Sequence, residues 1–189
     1  MMIYLVRHGE STWNAERRWA GQGNPPLSQA GREQAFLVAE HWAEMNFDAV
    51  TSSSMQRARE TAEIVAKRLQ ITLHEPVVEF DERHAGDLSG LTSSEIEVRH
   101  PGLLGRLRSD VLVEIPGGEA WPLFTERIVT GFSRFQEWNN QRLLLVAHAG
   151  VLRAVAHHLQ EAPPMYGNLQ GRWLKLERSG VLKAAEIIG

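Results

Sequence analysis

Met1-Met2-Ile3-Tyr4-Leu5-Val6-Arg7-His8-Gly9-Glu10 opens the chain, and its apolar run from Met2 to Val6 ends abruptly on two basic side chains and a glycine. An unbroken apolar run bounded by charge reads as a strand covered on both faces, as the strands of a parallel sheet are. The pattern recurs at Arg142–Ala147, followed by His148-Ala149-Gly150, and in shorter form at Asp48–Thr51, followed by Ser52-Ser53-Ser54 and Arg57.

Helical signals lie between these runs. Ser28 to Met45 reads as a helix with an imperfect apolar stripe of Leu27, Ala30, Gln34, Leu37, Val38 and Trp42. Ser53, with Gln56 three residues on, reads as a capping box opening a helix to about Leu69. Val77–Phe80 is a candidate strand, and Asp81–Gly118, rich in Gly and Pro, reads as loops with one or two short helices. Glu119–Trp138 is a long helix with Pro122 tolerated in its first turn, and Val151–Gln160 is another. Two weak strands, Arg172–Glu177 and Val181–Ile188, flank a Ser179-Gly180 turn. Strand–helix alternation predicts an α/β three-layer sandwich, a mainly parallel central sheet with helices on both faces. Residues 1–189 are expected to form one domain, with 83–118 as a loop or lid on the substrate side.

In such sheets ligands bind beyond the carboxyl ends of the strands. Three strand ends here would deliver two histidines, two arginines and helix N-termini to one edge. Backbone N–H groups and arginine forks suit a small dianion, and phosphate fits best. A neutral imidazole is a competent nucleophile near pH 7, and attack on phosphorus splits one hard step into two easier ones.

Composition narrows the chemistry. The chain has 189 residues, 43% of them hydrophobic and 23% charged, which is ordinary for a globular protein and excludes a disordered one. The net charge of −3 offers no overall basic field for nucleic acid. There is no cysteine, which excludes disulfides, a thiolate nucleophile and Cys-ligated zinc. His157 and His158 are adjacent, so on a helix they diverge by about 100° and do not form a ligand pair. No apolar run reaches the roughly 18 residues of a membrane helix, and the N-terminus lacks the layout of a signal peptide, so the expected location is the cytoplasm.

The ordered set of motifs resembles one known family. Leu5-Val6-Arg7-His8-Gly9-Glu10-Ser11 with Trp13-Asn14, then Gly21-Gln22, Pro26-Leu27-Ser28, Gly31, Gln34-Ala35, Ser52-Ser53, Arg57-Ala58, Thr61-Ala62, Glu82, Pro116-Gly117-Gly118-Glu119 and Val146-Ala147-His148 follow the order of the histidine phosphatase superfamily, phosphoglycerate-mutase-like branch. The chain is similar to its small bacterial-type phosphatases. The resemblance implies that His8 is the phosphorylated nucleophile and Glu82 the proton donor. It implies that Arg7, Arg57 and His148 bind the phosphoryl group, with Asn14, Gln22 and Ala149 at the phosphate or the substrate mouth. It implies catalysis without metal or other cofactor. Position alone does not choose among Glu79, Asp81, Glu82 and Asp87; the resemblance does. Ala149 stands where many relatives have Gly, Ala120 where many have Ser, and Gly86-Asp87-Leu88-Ser89-Gly90 lacks an aromatic and a Glu common in relatives.

Three functions share these residues: a phosphatase for small phosphomonoesters, a cofactor-dependent phosphoglycerate mutase, and a non-catalytic phosphate-binding module. The family's mutases carry a Tyr-, Arg- and Lys-rich insertion after the acid. Here the interval from Arg83 to Ile115 is short and holds neither Lys nor Tyr, which favours the phosphatase. Retention of the nucleophile and the acid disfavours the binding module. Arg99, His100, Arg106 and Arg108 form a basic patch that is either a solvated face or an attractor for an anionic substrate. Trp42 and Trp138 read as packing residues, while Trp13 and Trp19 flank the first loop, where an aromatic could cover a pocket. The expected partner is a small phosphorylated metabolite, with neither nucleic acid nor membrane; a homodimer is compatible with the sequence.

Overall fold

The computed structural model describes residues 1–138, 142–162 and 165–185. Strands β1 (Met2–Arg7), β2 (Ala49–Ser52), β3 (Thr72–Leu73), β4 (Arg142–Ala147), β5 (Gly171–Leu176) and β6 (Leu182–Ala184) form one sheet in the order β3-β2-β4-β1-β5-β6. β1, β2, β3 and β4 are mutually parallel, whereas β5 runs antiparallel to β1 and to β6. The mainly parallel α/β reading is therefore correct. Helices are α1 (Thr12–Ala15), α2 (Gln29–Trp42), α3 (Gln56–Leu69), α4 (Ser93–Arg99), α5 (Leu103–Ser109), α6 (Trp121–Gly131) and α7 (Ala149–His158). None is long and apolar enough to cross a membrane.

The apolar runs of β1 and β4 are continuous because both faces are covered. Ile3, Leu5, Leu143, Leu145 and Ala147 join one core with Phe124 and Ile128 of α6 and Val151, Leu152 and Val155 of α7. Val6, Leu144 and Val146 point the other way, into a second core with Ala39 and Trp42 of α2 and Ala58, Ala62 and Val65 of α3. A third core joins Ala85, Leu88, Ile96, Leu104, Leu107 and Ile115, so the segment over 83–118 is packed around α4 and α5.

Four sequence expectations need correction. Of the stripe read from the sequence, Leu27 and Trp42 are buried and Val38 packs on the second core, but Leu37 is 57% exposed and the rest of the buried face of α2 is Gly31, Ala35 and Ala39. Gly31 leaves room for the Glu10 backbone, and Ala39 packs with Ala58 and Ala62 of α3, so close approach of backbones outweighs burial of larger side chains on this face. Ser53 does not cap α3, whose N-cap is Met55 with no side-chain cap bond; the Ser53 hydroxyl is occupied elsewhere. Val78–Phe80 is a 3₁₀ turn, not a strand, because Pro76 has no N–H to extend the ladder beyond β3. The helix read over Glu119–Trp138 is α6 followed by a 3₁₀ turn at Phe132–Phe135. The hairpin at Ser179-Gly180 is present, with Gly180 at φ +85°; of the strand read to Ile188, residues 186–189 lie outside the described residues.

The register positions the site. Arg7 pairs with Ala147 and Ser52 with Val146, so the three strands end level. His8, Ser53 and His148 are the next residues along each strand and emerge side by side at one sheet edge. His8 N donates to Ala147 O, and Ser53 N donates to Val146 O, each at 3.0 Å, holding the turns together.

Candidate active site

His8 is 4% exposed and its ring is fixed at both nitrogens. Nδ1 lies 2.6 Å from the Gly9 carbonyl oxygen, and Arg57 Nε approaches Nε2 at 3.1 Å. A carbonyl only accepts and a guanidinium only donates, so these partners assign the proton to Nδ1 and a lone pair to Nε2. Burial, followed by the Arg57 charge, pushes the His8 pKa well below its ordinary value and keeps the ring neutral.

Arg57, in the first turn of α3, is 1% exposed. Its Nη1 and Nη2 donate to Gly23 O and Gly21 O, both at 2.8 Å, which clamps the loop after α1 around the guanidinium. Burial pulls its pKa down to about 10, still fully charged at neutral pH. Arg7 donates from Nη1 to Tyr166 O at 3.0 Å, while its buried Nε has no partner.

His148 is fully buried beside His8, with ring centroids 5.1 Å apart and planes at 63°. Its Nε2 lies 2.7 Å from Ser53 Oγ, and its Nδ1 has no partner. Burial, with Arg57 next, also lowers its pKa well below the usual value.

Glu82 closes the other side. Its Oε1 accepts from Arg83 N at 2.8 Å and its Oε2 from Gly150 N at 3.1 Å, at the start of α7. A Cβ on Gly150 would lie 2.0 Å from Oε1, so glycine there makes room for the carboxylate. Behind it, Arg127 donates to the carbonyls of Glu79, Asp81 and Glu82 at 2.8, 2.8 and 3.0 Å. The same guanidinium grips Glu119, with Nε and Nη2 donating to its carboxylate at 2.7 and 2.9 Å.

Arg7, His8, Arg57 and Glu82 face one cavity of about 400 Å³. A buried cation, a half-buried one, a neutral imidazole lone pair and a carboxylate on one cavity can hold a dianion against a nucleophile and supply or accept a proton. Buried donors and acceptors normally find partners. Of the described buried side-chain atoms that lack one, Arg7 Nε, Arg83 Nη2 and Trp121 Nε1 belong to cavity-lining residues and His148 Nδ1 to the ring beside His8.

A model of the histidine phosphatase superfamily (branch 1) matches residues 3–171. The chain belongs to that superfamily. It is 36% identical over 160 residues to phosphoglycerate mutase-like protein 4 of Arabidopsis thaliana, covering 81% of this chain and 68% of that protein. A second Arabidopsis thaliana protein, a metal-independent phosphoserine phosphatase, is 35% identical over 164 residues, with 85% and 69% covered. Mycobacterial glucosyl-3-phosphoglycerate phosphatase, solved with VO3, superposes with a TM-score of 0.86 over 98% of both chains at 24% identity, a likeness of fold.

Within this histidine phosphatase, the expected residues divide. Arg7, His8, Asn14, Arg57, Glu82 and Ala149 line the cavity. His148 does not; its ring meets that of His8 edge to face. Gln22 is exposed and off the cavity, donating from Nε2 to Glu82 O at 3.2 Å. Asn14 also completes a capping box with Ser11 at the start of α1. Of the four carboxylates weighed, only Glu82 lines the cavity; Asp81 is held by Ser54 N and Oγ. Trp19 lines the cavity and Trp13 does not. Of the basic patch, Arg108 alone reaches it. Trp42 is buried in the second core, and Trp138 packs against the first.

Sequence reasoning missed Arg18, Arg83, Arg153, Trp121 and the apolar wall from Leu104 and Leu107, which also line the cavity. For Arg153 a signal was present: it follows Ala149 by four on α7 and so shares its face. Trp121 offers none, because only the packing of α6 beside α7 brings it there.

Proposed function

We propose that this histidine phosphatase hydrolyses small phosphomonoesters through a phosphohistidine intermediate, without metal. The observation that carries the reading is the Nε2 lone pair of a neutral, cavity-lining His8, held by Arg57 Nε, with Arg7 lining the same cavity. When a substrate phosphate enters, its oxygens take up the arginine N–H groups, including the Arg57 Nε–H now donated to Nε2, and the lone pair is released. Nε2 attacks phosphorus, the ester oxygen departs with a proton from Glu82, and the phosphoryl group rests on Nε2. Water, deprotonated by Glu82, then attacks phosphorus; the N–P bond breaks and inorganic phosphate leaves.

Arg7 and Arg57 neutralise the phosphoryl oxygens, the task a metal performs elsewhere. We assign His148, with its free Nδ1, to the same phosphoryl group, and Asn14 and Ala149 to the mouth of the site. Gln22 acts from outside, steadying the Glu82 backbone. The test is phosphate release from nitrophenyl phosphate in the presence of EDTA. Sustained turnover supports the reading; loss of activity restored by Mg²⁺ or Zn²⁺ overturns its metal-free part, and no turnover under any condition overturns the whole.

A further inference from the structure

Two further arginines of the cavity wall flank one aromatic ring. The Arg83 guanidinium carbon lies 5.5 Å from the Trp121 ring centroid and that of Arg153 lies 6.0 Å from it. All three residues line the cavity. Arg83 uses only Nε, donating to Glu119 O at 2.7 Å, and its Nη2 is buried without a partner. Among the described residues Arg153 has no hydrogen-bond or salt-bridge partner, while Glu119 is already held by Arg127. The two guanidiniums repel each other, and the carboxylates near Arg83 are already engaged, Glu119 by Arg127 and Glu82 by the N–H groups of Arg83 and Gly150, so an anion between the arginines would relieve the repulsion. Leu104, Leu107, Val111 and Ile115 give the same cavity an apolar stretch, interrupted by Arg108.

Resting on the phosphatase reading above, we infer that the substrate carries a second anionic group, bound by Arg83 and Arg153 at the edge of Trp121, on an apolar body that lies against α5. The phosphate occupies the Arg7–Arg57 end. A cavity of about 400 Å³ lies in the range, roughly 300–1,000 Å³, that encloses ligands well above a three-carbon phosphate in size. The apolar wall distinguishes this substrate from a polyol phosphate, whose hydroxyls it would leave unpaired. Arginine forks accept a carboxylate and a second phosphate alike, so the shared feature is the anion.

The experiment uses the full chain and matched aryl phosphates: phenyl phosphate bearing a carboxylate, a second phosphate, or the neutral carboxamide. In the wild type, kcat/KM for one or both anionic esters should exceed that for the carboxamide by about tenfold or more, as charge-assisted pairs provide. The larger of the two ratios identifies the anion. In Arg153→Met and in Arg83→Met that ratio should fall towards one, whatever the absolute rates. A wild-type ratio near one, or a ratio that survives both substitutions, overturns the inference while leaving the phosphatase reading intact. Failure to hydrolyse any of the esters overturns the phosphatase reading itself.

Discussion

Arg57 Nε donates to His8 Nε2 at 3.1 Å, and this contact joins the first turn of α3 to the residue that follows β1. It fixes the imidazole tautomer, and it also holds the nucleophile in check. Arginine and histidine are 49 residues apart, and the level strand ends bring them together.

His8→Ala should reduce turnover by roughly four orders of magnitude or more, as loss of a covalent nucleophile does. In the wild type, rapid acid quench with labelled substrate should trap an acid-labile, base-stable phosphoenzyme. Label on serine, or full activity in the variant, would falsify the assignment.

Glu82→Gln should slow alkyl phosphates about a hundredfold or more, and nitrophenyl phosphate much less, because nitrophenolate leaves without a proton. Arg127 holds the Glu82 backbone and Glu119, so Arg127→Met should shift the same alkyl-to-nitrophenyl ratio in the same direction by a smaller factor. A purely structural role for Arg127 predicts equal slowing of both substrates alongside a lower Tm.

Stability should fall with acid from a pH well above the range where carboxylates titrate. Burial keeps His8 and His148 well below the ordinary imidazole value of 6.5 in the folded state, whereas in the unfolded chain both rings titrate near that value. Unfolded chains therefore bind more protons, so the stabilisation is complete above pH 6.5 and is lost as pH falls from there through the lowered folded values. The urea midpoint should drop between pH 7.5 and 5.5 and drop less when both histidines are replaced by Gln. A flat midpoint in the wild type counts against neutral buried rings.

Hydrolysis should outrun phosphoryl transfer. A mutase must shield its phosphohistidine from water and grip its intermediate with cations. Here the segment from 84 to 118 contributes Ala85, Leu104, Leu107, Val111 and Ile115 to the cavity with Arg108 as its single cation there among the described residues, in place of the Tyr-, Arg- and Lys-rich insertion that closes over a mutase site. Supplied with 3-phosphoglycerate and a catalytic amount of 2,3-bisphosphoglycerate, the enzyme should release phosphate faster than it forms 2-phosphoglycerate. Isomerisation much faster than release would restore the mutase.

The sheet, and the meeting of Arg7, His8 and Arg57 beyond its strand ends, were legible in consecutive residues. Runs such as Met2–Val6 and Arg142–Ala147 have one stable use, as strands buried on both faces, and whatever follows such strands in a parallel sheet meets at one edge. That physics placed Arg7, His8 and Arg57 together before any coordinate was known. Tertiary structure alone decided the rest. Which face of α2 is buried depended on how closely the alanines of α3 allow it to approach, a property of the pair and not of either helix. Ser53 was drawn from a capping role to His148 by register across β2 and β4. The Arg83–Trp121–Arg153 wall unites the loop after β3 with α6 and α7, segments 38 and 32 residues apart in sequence at those positions, and no local periodicity records it. Strand burial is written in consecutive residues, whereas the substrate's walls are made where separate elements happen to touch.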